Sequence, residues 1–94
     1  MSYRKTSLWN DNNEIKCLII LKKLILEDFS RGKQKKYCFE MAKESGLTVG
    51  SISAKICNFK SVYGINNPSH PSKNTLRIYE KYKDFSIEEL ELIV

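Results

Sequence analysis

Apolar residues along this chain come in five blocks, separated by polar or turn-forming residues. The first block is the densest. Ile15, Cys17, Leu18, Ile19, Ile20, Leu21, Leu24, Ile25, Leu26 and Phe29 predict a helix from about Asn12 to Phe29. Asp11 and Glu14 have capping-box spacing at its start, with Asp in place of Ser or Thr. On a helical wheel Lys16, Lys23 and Glu27 share a narrow polar arc, and most of the remaining surface is apolar. Such a helix is either central to a domain or meets a second molecule. In 94 residues the central position is expected, in a monomer or a weak homodimer.

The later blocks are sparser and more amphipathic. Phe39, Ala42, Cys38 and Met41 mark the inward face of a second helix from about Lys36 to Ser45. Ile52, Ile56 and Phe59, at i, i+4 and i+7, anchor a third from Val49 to Phe59 or Ser61. Ser61–Ile65 is a weak candidate for a short strand, and Gly64–Ser72 is a turn-rich loop with two prolines. Ser72 or Asn74 caps a fourth helix carrying Leu76, Ile78, Tyr79, Tyr82 and Phe85. Ser86 and Glu89 form a capping box for a short fifth with Ile87, Leu90 and Ile93. The expected fold is therefore all-α, a small bundle of four to five helices over residues 9–94, preceded by a flexible basic arm, residues 1–8, with Arg4 and Lys5.

Between the second and third helices the chain reads M-A-K-E-S-G-L-T-V-G-S-I-S-A-K-I-C-N-F. Ala42 is small where two helices cross. Gly46 can take the positive φ that ends a helix. Leu47 plugs the corner and Thr48 can cap the next helix. This stretch resembles the helix-turn-helix of bacterial and phage regulators, with polar Lys55 where the motif usually has another apolar residue. The resemblance implies a DNA-reading third helix. Opposite its apolar anchor lie Gly50, Ala54, Cys57 and Ser61, with Ser51, Lys55 and Asn58 on one flank and Ser53 and Lys60 on the other.

Charge changes the picture in the same direction. Net charge is +5 with a pI near 9.2, which favours a polyanionic partner. Residues 45 to 79 contain no Asp or Glu, but do contain Lys55, Lys60, Lys73, Arg77 and His70 among many Ser and Asn. The segment Ser30–Lys36 reads as a loop ending the first helix at Gly32, with Arg31, Lys33, Lys35 and Lys36 in seven residues. Cations among small hydrogen-bonding side chains, without carboxylates to repel phosphate, suit a nucleic-acid backbone.

Catalytic and metal chemistry finds little to work with. The single histidine, His70, sits between two prolines, far in sequence from any thiol it would have to activate. Cys17, Cys38 and Cys57 lack zinc-ligand spacing and read as free thiols of a reducing compartment. No phosphate-binding Gly-rich loop is present, and no signal peptide is apparent. The longest apolar run, Cys17 to Leu21, is too short to cross a bilayer. A non-enzymatic, cytoplasmic protein without cofactor, metal or membrane partner is expected.

A looser likeness runs through Trp9 and Glu14, Gly50-Ser51-Ile52, Asn58-Phe59 and Gly64. It resembles the helical module that precedes HNH nuclease domains, and implies reading of DNA, including modified DNA, through Gly50, Ser51 and Asn58. The second histidine needed for the nuclease half is absent. The combined expectation is non-catalytic binding of double-stranded DNA. Ser51, Ser53, Lys55 and Asn58 would reach base edges. Lys60, Arg31, Lys33, Lys35, Lys36, Lys73 and Arg77 would hold phosphates. The rival reading is a small phage-type protein-interaction module that inhibits a host defence nuclease, using the apolar first helix and the small-residue face of the third.

Overall fold

A computed structural model describes residues 8–65 and 71–94. Among these the chain forms five helices and no strand: α1 (Asp11–Leu26), α2 (Lys33–Ser45), α3 (Val49–Val62), α4 (Lys73–Tyr82) and α5 (Ile87–Ile93). The arm, apart from Leu8, and the segment holding His70 lie outside the described residues.

The other four helices all pack on α1. Its Ile15, Cys17, Leu18, Leu21 and Leu24 are almost wholly buried. Ile52, Ile56 and Phe59 of α3, Ile78 of α4 and Leu90 of α5 close the core around it with no exposed surface of their own. The two apolar faces of α1 are thus covered within one chain. Ile25 and Leu26, the latter 78% exposed, are left at its C-terminal end.

Several local readings are corrected. The cap of α1 is Asn10, whose side chain accepts the Asn13 N–H at 2.8 Å. The helix therefore starts one residue early, and Glu14 falls beyond the position from which a capping-box side chain reaches back. α1 ends at Leu26, not Phe29, because Asp28 and Phe29 take left-handed φ values of 52° and 53°. The Phe29 N–H bonds the Leu24 carbonyl at 2.8 Å and the Asp28 N–H bonds the Ile25 carbonyl at 3.1 Å, which makes the ending a Schellman motif. Gly32 (φ 85°) then starts α2. Lys33, Lys35 and Lys36 belong to its first turn, not to a loop, since Lys and Gln favour helix once the glycine has set the direction. Phe39 does not face inward: it is 49% exposed, beside the face that buries Cys38 and Met41. The suggested strand at Ser61–Ile65 is absent because α3 continues through Val62.

Other local readings stand. Gly46 has φ 79° and its N–H bonds the Ala42 carbonyl at 3.0 Å. Leu47 is buried and the Thr48 hydroxyl accepts the Ser51 N–H at 3.1 Å. Ser72, not Asn74, caps α4, and the Ser86–Glu89 box has both of its bonds.

Candidate nucleic-acid interface

The face of α3 turned away from the core carries Gly50, Ala54 and Cys57, all exposed, and half-buried Ser61. Its side chains are short because no bulky residue occupies that arc, so a second surface can come close to the helix backbone. The two flanks of this face differ.

On the flank toward α4, Lys55 is turned inward. Its side chain is only 13% exposed and its ammonium lies 3.5 Å from the carboxylate of Glu14, which is wholly buried. Lys55 Nζ also donates to Thr75 Oγ1 at 3.1 Å and sits 4.8 Å from the Trp9 ring centroid. Thr75 Oγ1 donates to Glu14 Oε1 at 2.6 Å. The Trp9 indole N–H donates to Ser51 Oγ at 3.1 Å. Lys55, expected at a base edge, is thus held against Glu14 inside the fold. Ser51 and Asn58 are half-buried beside this cluster. Lys73, at the first position of α4, is exposed. Arg77 is exposed but chelates Asp11 through two bonds, of 2.6 and 3.1 Å.

On the flank toward α2, Lys60 Nζ donates to Gln34 Oε1 at 2.7 Å and lies 5.2 Å from the Phe29 ring centroid. Gln34 Nε2 donates to Ser53 Oγ at 3.3 Å. Arg31, Lys35 and Lys36 are exposed and Lys33 is half-buried. Among the described residues, Lys16, Lys23, Lys55, Arg77 and Lys83 make ion pairs; Lys22, Lys43, Lys73 and Lys81 make none, and neither do Arg31, Lys33, Lys35, Lys36 and Lys60, which differ in following one another closely around the α2 start and its α3 neighbour. The first turn of α2 holds no acid, so its lysines oppose the positive end of the helix dipole. Among the described residues no carboxylate pairs with them to offset this.

Arg31, Lys35, Lys60, Gln34 and Ser53 border a cleft of about 620 Å³ between the end of α1 and the α2–α3 pair. Its apolar lining, called its floor below, is Leu24, Cys38 and Val49 with Phe29, which is 38% exposed. Burial pushes the Cys38 thiol up from its ordinary range, with a smaller push from Cys57 against a pull from Lys60, so the floor stays neutral. The arrangement thus brings together Ser53, Lys60, Arg31 and Lys35, with Lys33 and Lys36 on the same turn of α2. It separates them from Ser51, Lys55, Asn58, Lys73 and Arg77 across α3.

Sequence reasoning missed Gln34, Phe29 and Trp9 as parts of this surface, and Thr75 as the buried hydroxyl beneath it. It also missed Glu14 as the acid that removes Lys55 from it. One signal was available: Glu14 precedes Leu18 and Leu21 by four and seven residues, so it lies in the apolar stripe of α1 and needs a buried partner. No such signal links Trp9 to Ser51, or Thr75 to Glu14, because both contacts join distant parts of the chain.

No helix among the described residues is long and apolar enough to cross a membrane, and no group of three or more His, Cys, Asp or Glu residues is placed to hold a metal ion. No protein-family model, curated protein or solved structure matches the chain.

Proposed function

We propose that this protein binds double-stranded DNA without catalysing a reaction, using α2, the Gly46–Thr48 turn and α3 as a helix-turn-helix. The observation that carries the reading is the unneutralised cation set Arg31, Lys33, Lys35, Lys36 and Lys60 beside the short-chained outer face of α3. Phosphates would sit on these five and on Lys73. Ser51, Ser53 and Asn58 flank the approach and reach base edges; Lys55 and Arg77, engaged with Glu14 and Asp11, are left out of the contact set. In a helix-turn-helix the N-terminal part of the second helix faces the major groove, and here that part carries Gly50, Ser51 and Ser53.

The rival reading, a protein-interaction module acting on a nuclease, rested partly on an uncovered apolar first helix. Most of that apolar surface is buried in the core, which favours the DNA reading.

The test is a mobility shift with duplex DNA across a salt series. Log affinity should fall with log salt with a slope of about −0.9 per phosphate neutralised. Retained affinity at high salt, or no shift at low salt, rejects the proposal.

A further inference from the structure

The cleft at the α1–α2 corner has features that a phosphate-backbone contact does not need. Its volume of about 620 Å³ lies within the ~300–1,000 Å³ of small-molecule sites. A flat duplex backbone would use the rim cations and leave the apolar floor empty. That floor includes an aromatic ring, Phe29, carried by a residue with φ 53° and preceded by another at 52°. The Schellman ending of α1 holds the ring at this corner.

Among the described residues, no carboxylate lines the cleft. Three cationic residues line it without a counter-charge, Lys35 with its ammonium now 6.0 Å from the Phe39 ring centroid. One carboxylate ligand would leave two of them unmatched. A phosphate monoester carries about −1.5 to −2 near neutral pH and offers three acceptor oxygens. Among the described residues, the acceptor of Lys60 is the neutral Gln34 amide. A phosphate oxygen would add the attraction of opposite charges to the bond that the Lys60 ammonium already makes with a neutral amide, so Lys60 would exchange one for the other. As its ammonium leaves the Phe29 ring, it uncovers a flat apolar surface. Gln34 and Ser53, now bonded to each other, are amide and hydroxyl groups of the kind that bond a base edge.

The geometry points to a binding site for a nucleoside phosphate: phosphate on Arg31, Lys35 and Lys60, base against Phe29 and the floor, base edge on Gln34 and Ser53. The ligand is either a free nucleotide or an unpaired nucleotide at the end of a DNA strand. The site does not require duplex binding by α3, so the two readings can fail separately.

The experiment is a titration of the ¹⁵N-labelled full chain with dAMP, followed by amide chemical shifts. Saturable shifts should centre on Gly32–Lys35, Ser53 and Lys60. Deoxyadenosine and inorganic phosphate should each bind at least tenfold more weakly than dAMP. Arg31→Ala combined with Lys35→Ala should weaken dAMP at least tenfold, while the charge-matched Lys43→Ala with Lys81→Ala should not. Phe29→Leu keeps the apolar bulk and should weaken dAMP while leaving inorganic phosphate unchanged. A blunt hairpin duplex and a duplex with a one-nucleotide 3′ overhang separate the sources. Competition by the overhang duplex alone assigns the strand end, competition by neither assigns the free nucleotide, and both results support the site. Binding of dAMP without any duplex binding sustains the site and rejects the DNA proposal. Absence of saturation up to about 10 mM dAMP, equal loss in the charge-matched control, or phosphate binding as tightly as dAMP overturns the site.

Discussion

The two flanks of α3 carry similar chemistry and use it in opposite ways. One has Ser51 and Lys55, the other Ser53 and Lys60. Lys55 meets a buried acid, a threonine hydroxyl and an indole ring, and becomes part of the fold. Lys60 meets an amide and a phenyl ring, and its ammonium lies at the edge of a cleft. Two lysines five residues apart on one helix thus differ because a single carboxylate, Glu14, lies on one side. A count of cations in an acid-free stretch overstates the charge available to a ligand, since the acid that matters comes from another part of the chain.

The sharpest break of this comparison is Lys55→Ala. It leaves the Glu14 carboxylate wholly buried without its cation, and breaking one half of a buried pair costs about 3–5 kcal/mol. The expected result is a large drop in the thermal unfolding midpoint. Lys60→Ala, at the cleft edge, should cost less than about 1 kcal/mol, in the range of exposed side chains. Replacing both members of the buried pair, Glu14→Leu with Lys55→Met, should recover most of the loss, because apolar residues of similar size often match a buried ion pair. Equal effects of Lys55→Ala and Lys60→Ala on the midpoint would erase the distinction between the flanks.

Gly46→Val tests whether the turn sets which flank faces which neighbour. The residue has φ 79°, and a Cβ there would come 3.4 Å from Leu8 Cδ1. Space is adequate, so the expected loss of about 1–3 kcal/mol comes from backbone strain. It should appear in the unfolding midpoint together with altered Trp9 fluorescence, since a rotated α3 would move Ser51 away from the indole N–H.

Under the proposed DNA binding, the contrast should reappear as a difference in salt slope. Lys35→Ala should lower the slope by about 1 and weaken binding uniformly across sequences. Arg77→Ala, whose guanidinium is chelated by Asp11, should leave the slope unchanged. A larger slope change from Arg77 than from Lys35 would move the phosphate path to the α4 flank.

What could be read from the sequence divides along the same line. The Gly46 turn, the Thr48 cap, the Ser86–Glu89 box and the Ile52–Ile56–Phe59 anchor are set by residues within one or two turns of one another, and their chemistry is local. The roles of Glu14 and Lys55 depend on Thr75 and Trp9, far away in the chain, and no spacing rule reports that. Four cations in seven residues resemble a solvated loop, yet Gly32 is the one helix breaker in that segment and α2 starts directly after it. The apolarity of Phe39 suggests an inward position, but the wheel leaves it beside the buried face. On the cleft side the cations were legible, but the floor beneath them was not, because Leu24, Phe29, Cys38 and Val49 converge only when three helices are in place.

The smallest expected effect concerns the strained corner beneath the cleft. Asp28 occupies the position that ends α1 in a left-handed conformation, where glycine is the usual residue. The left-handed region costs an L-residue roughly 1–2 kcal/mol, somewhat less for Asp, and glycine avoids that penalty. Glycine also gains freedom in the unfolded chain, which offsets part of the benefit. Asp28→Gly should therefore stabilise the fold by about 0.5–1 kcal/mol, seen as a small rise in the unfolding midpoint. It also removes one carboxylate next to the basic turn, which should leave salt-dependent binding equal or slightly tighter. If the midpoint falls instead, the Asp28 side chain holds the corner through its own contacts, and the strain at Phe29 is anchored from Asp28 and not from the cleft floor.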